Sequence, residues 1–119
     1  MKKKDIKFQI TNFEDVKPEK VEQLQMAVAQ QPVSVAIEAD TLEFQFYETG
    51  ILSGEGCGTN LDHGVLIVGY GQEGEQGYWI VKNSWGENWG ENGYVKIAIT
   101  EGKGTCGIQM QPSYPIVAA

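Results

Sequence analysis

The sequence has 119 residues, about the size of one small domain, and 41% of them are hydrophobic, which is enough to form a packed core. Nine Lys and Arg against sixteen Asp and Glu give a net charge of -7, which repels phosphate backbones and argues against nucleic acid as a partner. No apolar run approaches the roughly 20 residues that a membrane helix requires, so we expect no membrane association.

The beginning of the sequence, MKKK followed by DIKFQITN, lacks the apolar core of a signal peptide. A lysine triplet directly after Met1 suggests that residues 1–7 are a tag-like start. Because no internal repeat, low-complexity tract or interdomain linker follows, we expect residues 8–119 to form one β-rich domain.

One amphipathic helix is predicted between Pro18 and Gln31. Pro18 suits a first helical turn, where its missing N–H costs nothing, and Pro32 ends the helix. The apolar positions that recur there at helical spacing are Val21, Leu24, Ala27 and Val28.

A half-buried strand is predicted next, because apolar β-branched residues alternate with other side chains in PVSVAIEA at 32–39. Residues 43–47, EFQFY, contain three aromatics and are compatible with either a short helical turn or an aromatic-rich loop. Three further strands are predicted at 65–71, 78–83 and 93–100, which are apolar runs bounded by glycines.

These three strands should pair antiparallel, because Asn92-Gly93 and the stretch 72–77 supply residues that tolerate the positive φ of tight turns. The predicted fold class is therefore α+β: an antiparallel, strongly twisted sheet or partial β-barrel with one main helix.

Residues 69–74, GYGQEG, match the G-x-G-x-x-G pattern of dinucleotide-binding turns. That motif requires a helix directly afterwards, whereas the sequence returns to a strand pattern and places Glu73 and Glu75 where an anion would lie. We therefore reject nucleotide binding.

The only histidine, His63, begins one predicted strand, and Asn83 ends the strand expected to pair with it. An amide in that position can accept a ring N–H and so decide which ring nitrogen faces the chemistry, while Gly64 leaves room beside the ring. Trp85 and Trp89 are either ordinary core or rim aromatics or a cover that keeps water from this hydrogen bond.

Cys57 and Cys106 are the two cysteines of the sequence, and they permit a single disulfide. If paired, they close a loop of about 50 residues, worth roughly 4 kcal/mol, and imply an oxidising compartment. Two buried free thiols are the alternative, and the residues alone leave both open.

Three segments together resemble the carboxyl-terminal half of papain-like cysteine proteases of the plant papain and cathepsin L kind. They are CGTNLDHGVLIVGYG, YWIVKNSWGENWGENGYVKI and CGIQMQPSYPIV, and the match covers roughly residues 8–117. The resemblance implies that His63 is a general base, that Asn83 orients it and that Trp85 shields their contact. It gives Ser84 and Asp62 supporting positions and implies no metal and no cofactor.

The resemblance also implies that Cys57 and Cys106 form the disulfide of this domain. A neutral Gln111 at the floor of the substrate pocket predicts a preference for apolar or aromatic side chains over arginine. The residues that match the substrate pocket are Ala36, Leu61, Gly64 and Gln111.

The family's nucleophile lies in a C-G-[SA]-C-[WY] pattern, with the histidine about 130 to 150 residues downstream. Counting back from His63 puts that cysteine roughly 70 to 90 residues before Met1, so we expect this chain alone to be inactive. The parent would be a cysteine endopeptidase acting on peptides or proteins in a lysosome, a vacuole or outside the cell.

Two other interpretations remain: an isolated engineered domain used as a folding or binding module, or a domain of a non-catalytic relative. If the chain is instead half of a cysteine protease, the amino-terminal domain that carries the nucleophile is its missing partner. The exposed face that would meet it predicts self-association.

Overall fold

The structure is a computed structural model, and it describes residues 9–15, 20–53 and 57–118. The predicted tag-like start at 1–7 and the predicted helix start at Pro18 lie outside these ranges. None of the helices in these ranges is long and apolar enough to cross a membrane. The elements in chain order are β1 (Gln9–Asp15), α1 (Val21–Gln30), β2 (Val33–Ile37), α2 (Leu42–Gln45), β3 (Ile51–Leu52), β4 (His63–Glu73), β5 (Gln76–Lys82), β6 (Tyr94–Ala98), a 3-10 turn (Thr105–Gly107) and β7 (Ser113–Ala118).

The strands of the described ranges form one seven-stranded sheet in the order β1-β7-β2-β4-β5-β6-β3. Neighbouring strands are antiparallel, except that β3 lies parallel to β6. Together with the one long helix of the described ranges, this confirms the predicted α+β class. Strands β1, β3 and β7 were not predicted.

Helix α1 packs one face on the sheet through Leu24 and Val28, one turn apart and both buried. It ends at Gln30 because Gln31 precedes Pro32, and the proline ring pushes that residue into the extended conformation, here φ -167° and ψ 160°. The predicted helix is confirmed, although it begins at Val21 within the described range.

The β2–β4 pair positions the candidate site. Strand β2 alternates buried and half-buried residues as predicted, with Val33, Val35 and Ile37 in the core. It pairs antiparallel with the first five residues of β4, from Val33 opposite Ile67 to Ile37 opposite His63.

Two tight turns have the predicted backbone. Gly74 takes a φ of +60° in the turn between β4 and β5, and Asn92 and Gly93 both take positive φ before β6. The G-x-G-x-x-G segment at 69–74 runs through the end of β4 into this hairpin, and strand β5 follows it directly. Residues 43–47, left open between two conformations, begin with the short helix α2.

Candidate active site

His63 is held at the point where β2 ends and β4 begins. It lies opposite Ile37, the last residue of β2. The preceding residue, Asp62, donates its backbone N–H to the Ile37 carbonyl at 2.9 Å, and its side-chain Oδ1 accepts the Ala39 N–H at 2.9 Å. These two hydrogen bonds fix the chain on the amino side of the imidazole.

Asn83 follows the last residue of β5 and is almost completely buried. Its backbone N–H donates to the Gly93 carbonyl at 3.0 Å, and its Oδ1 lies 2.7 Å from His63 Nε2. The same Oδ1 accepts the backbone N–H of Ser84 at 2.7 Å. Because a backbone N–H can only donate, the amide atom facing it is the oxygen, so His63 Nε2 carries the proton it shares with Asn83. In the neutral ring Nδ1 is then the free acceptor.

An aromatic cluster covers this hydrogen bond. The Trp85 indole stacks on the His63 ring with centroids 5.1 Å apart and planes 29° from parallel. Trp85 meets Phe44 and Trp89 edge to face, at 5.4 and 5.5 Å. Trp89 is buried, and its Nε1–H donates to the carbonyls of Phe44 and Gln45, both 3.1 Å away. The His63 ring is therefore supported by Trp85, which in turn packs against the buried Phe44 and Trp89.

Phe44 was not predicted as part of this cluster. The three aromatic residues of EFQFY indicate an aromatic contact in this region, but the sequence does not show which of them points inward. In the structure Thr41 caps α2 by accepting the Phe44 N–H at 3.3 Å. This cap sets the turn that buries Phe44 completely while Phe46 stays exposed.

Glu91 holds the segment that follows α2 through hydrogen bonds. Its Oε2 accepts the Thr49 hydroxyl at 2.7 Å, the Gly50 N–H at 3.1 Å and the Tyr47 hydroxyl at 3.3 Å. The Thr49 hydrogen bond is the main reason that the pKa of Glu91 is lowered. Burial raises the pKa of Tyr47 to about 12, so its hydroxyl stays protonated, and the same hydroxyl donates to the Gly50 carbonyl at the shorter distance of 2.6 Å.

An open cavity of about 400 Å³ lies beside Asn83. Within the described part of the chain, the buried Nδ2 of Asn83 has no hydrogen-bond partner, which is unusual for a buried polar atom. The residues that line the cavity are Ser34, Val35, Gly64, Val65, Leu66, Lys82, Asn83 and Ser84.

The four residues predicted to form a substrate pocket fall into two groups. Ala36 and Gly64 are register partners on β2 and β4, and Gly64 also lines the cavity beside Asn83. Leu61 packs so closely on Gly107 that a methyl group added there would come within 2.7 Å of Leu61 Cδ2. Gln111 is exposed on the segment that leads from this contact into β7.

Cys57 and Cys106 form a disulfide. It joins the segment before His63 to the 3-10 turn, with Cys106 almost completely buried. Among the described residues, no group of three or more histidine, cysteine or acidic side chains is arranged to hold a metal ion.

The chain belongs to the papain family: the model of "Papain family cysteine protease" matches residues 1–116. It is 54% identical over 109 residues to cysteine proteinase RD21A of Arabidopsis thaliana and 57% identical over 110 residues to the oryzain beta chain of Oryza sativa subsp. japonica. These alignments cover 90% and 89% of this chain but 23% of each relative. The chain therefore spans about a quarter of the length of these curated relatives.

Solved structures of the family have the same fold. The bromelain protease from Ananas comosus superimposes with a TM-score of 0.82 at 42% identity, covering 89% of this chain and 50% of that one. The Amb a 11 cysteine protease of ragweed pollen, in its proform, gives a TM-score of 0.85 at 42% identity, covering 91% of this chain and 34% of that one.

Proposed function

We propose that this chain is the carboxyl-terminal domain, residues 8–119, of a papain-like cysteine endopeptidase, to which it supplies the catalytic base and half of the substrate cleft. The observation that carries the proposal is the 2.7 Å hydrogen bond between His63 Nε2 and Asn83 Oδ1 beneath the Trp85 indole. Membership of the papain family supports it.

In this proposal His63 Nδ1 takes the proton of a cysteine thiol that lies outside this chain. The thiolate attacks the carbonyl carbon of the scissile peptide bond, and the imidazolium returns the proton to the departing amine. Water, activated by the same Nδ1, then hydrolyses the acyl-enzyme. Asn83 keeps the ring oriented throughout, and the Trp85 indole strengthens their hydrogen bond by excluding water.

On the same grounds we expect the chain alone to be inactive. Its sequence contains two cysteines, and both are joined in the disulfide, so it offers no thiol. Only the thiolate is the nucleophile in this chemistry, and without one no acyl-enzyme can form.

The cavity beside Asn83 is the proposed contact with the missing amino-terminal domain. Two observations support this: the cavity is open, and Asn83 Nδ2 is a buried donor without an acceptor among the described residues. Without that domain, we expect copies of the chain to associate through this face. Sedimentation should show concentration-dependent dimers that Leu66→Glu weakens and Met26→Glu, on the exposed side of α1, does not. A strictly monomeric profile at high concentration would count against self-association.

Ala36, Leu61, Gly64 and Gln111 are the proposed substrate pocket. Gly64 is exposed and has no side chain of its own, and the neutral amide of Gln111 cannot pair with arginine as a carboxylate would. We therefore propose a preference for apolar or aromatic side chains in this pocket.

The compartment proposed for the parent enzyme is a lysosome, a vacuole or the extracellular space. The disulfide supports this, because disulfides persist in oxidising compartments and along the secretory route. One relative, 55% identical over 109 residues, is described as a KDEL-tailed cysteine endopeptidase of Arabidopsis thaliana.

The test is a grafted enzyme, in which this chain replaces the matching segment of cysteine proteinase RD21A. We expect the grafted enzyme to cleave a fluorogenic peptide and His63→Ala to abolish turnover, whereas Asn88→Ala, an exposed asparagine, leaves it unchanged. The chain alone should show neither turnover nor alkylation by iodoacetamide. Turnover that survives His63→Ala would overturn the proposal.

A further inference from the structure

Glu38 connects the end of β2 to both sides of the disulfide. Its backbone N–H donates to the Cys106 carbonyl at 2.9 Å. On the other side, its Oε1 accepts the N–H of Gly58, next to Cys57, at 2.6 Å and the N–H of Asn60 at 3.3 Å. A carboxylate that accepts two backbone N–H groups binds a loop more strongly than a neutral acceptor does.

The segment that Glu38 holds leads directly into the candidate base. Three residues after Asn60 the chain reaches His63, and Asp62 in between is bound to Ile37 and Ala39, the two neighbours of Glu38. Residues 37–39 at the end of β2 therefore hydrogen-bond to this segment at successive points. Of these contacts, the hydrogen bond between Glu38 and Gly58 is the furthest along the chain from His63.

We propose that Glu38 is a positioning residue for His63, and that it acts by accepting the Gly58 and Asn60 amides of the segment that leads to the imidazole. The proposal rests on the proposed function only in giving His63 its role as the base.

The experiment uses the intact oxidised chain, labelled with 15N, whose amide hydrogen exchange is followed residue by residue. The variants are Glu38→Gln and Glu38→Ala. Glu75→Gln, in the turn at the far end of β4, is the matched control. Magnetisation transfer between the His63 and Trp85 rings reports whether the imidazole keeps its place.

Glu38→Ala should speed exchange of the Gly58 amide about tenfold and weaken the contact between the two rings, and Glu38→Gln, which keeps an acceptor oxygen, should largely restore both. The control Glu75→Gln should leave both unchanged. If Glu38→Ala does not fold, Glu38→Asp, whose shorter side chain withdraws the carboxylate from the two amides, decides the question by the same measurements.

Exchange of the Gly58 amide, or a contact between the two rings, that is unchanged in a folded Glu38→Ala or Glu38→Asp would overturn the proposal. Neither result depends on peptide cleavage. Failure here would leave His63 as the proposed base, and an inactive grafted enzyme would leave the Gly58 result intact.

Discussion

His63 and Asn83 are 20 residues apart in the sequence, yet His63 Nε2 and Asn83 Oδ1 lie 2.7 Å apart in the structure. The β4–β5 hairpin creates this proximity, because β4 starts at His63 and β5 ends directly before Asn83. The backbone N–H of Ser84 occupies the same oxygen and therefore fixes the direction of the amide. An orienting hydrogen bond of this kind leaves His63 Nδ1 free to exchange a proton.

Replacing Trp85 should mainly lower activity, whereas replacing Trp89 should mainly lower stability. Trp85 is 42% exposed and stacks on His63, so Trp85→Ala should lower kcat/KM of the grafted enzyme about tenfold and cost only about 1 kcal/mol of unfolding free energy. Trp89 is buried and hydrogen-bonded, so Trp89→Ala should cost about 3–5 kcal/mol. Urea unfolding and peptide cleavage measure the two effects. Equal destabilisation by both variants would make Trp85 an ordinary core residue.

The disulfide should contribute strongly to stability. Cys57 and Cys106 are separated by 49 residues, and a loop of that length predicts about 4 kcal/mol in the chain-entropy model. The double variant Cys57→Ala/Cys106→Ala should therefore unfold at a much lower urea concentration than the oxidised chain. The reduced chain is the control and should match the double variant. An unchanged midpoint would contradict the prediction.

Glu91 should make stability depend on acid. Hydrogen bonds from Thr49 and the Gly50 backbone lower its pKa, so its contribution is complete above the ordinary glutamate pKa and is lost as the pH falls through the lowered one. Glu91→Gln should cost about 1 kcal/mol at neutral pH, allowing for solvent screening, and should flatten this decline. Thermal unfolding across the acid range measures it, with the exposed Glu87→Gln as control. The same acid dependence in Glu91→Gln would assign it to another group.

Gln111 should govern the charge preference of the substrate pocket. The grafted enzyme should cleave peptides with Phe in that pocket faster than peptides with Arg, because the neutral amide offers arginine no ion pair. Gln111→Glu should raise kcat/KM for the Arg peptide about tenfold relative to Phe, since a charge-assisted hydrogen bond contributes about 1.5 kcal/mol. A preference of the unchanged enzyme for Arg would refute the assignment.

The parts of the fold that local pattern predicts are those with strong periodicity. Helix α1 and strands β2, β4, β5 and β6 each bury alternate or helically spaced apolar residues, and the Asn92-Gly93 turn needs its positive φ. Strands β1 and β7 pair with each other from opposite ends of the chain, so neither carries a local signal of its partner. Strand β3 has two residues and is too short for any period to show.

The candidate site also has one part that the sequence predicts and another that depends on long-range contacts. The hairpin register predicts that Asn83 lies beside His63, because both residues flank paired strands. The support from Phe44 depends on which aromatic side chain of EFQFY turns inward, and that is decided by contacts with Trp85 and Trp89 that lie more than 40 residues downstream. The hydrogen bonds from the Gly58 and Asn60 amides to Glu38 are also long-range, and a glutamate at the end of a strand pattern does not predict them.

The central claim is that His63, oriented by Asn83, activates a thiol supplied from outside this chain. Its most direct test is the rate of alkylation of that thiol by iodoacetamide in the grafted enzyme at about pH 5, where an unassisted thiol is almost fully protonated. The account predicts rapid alkylation that falls about 10²-fold in His63→Ala and by less in Asn83→Ala, with no change in Asn88→Ala. An alkylation rate that His63→Ala leaves unchanged would contradict it.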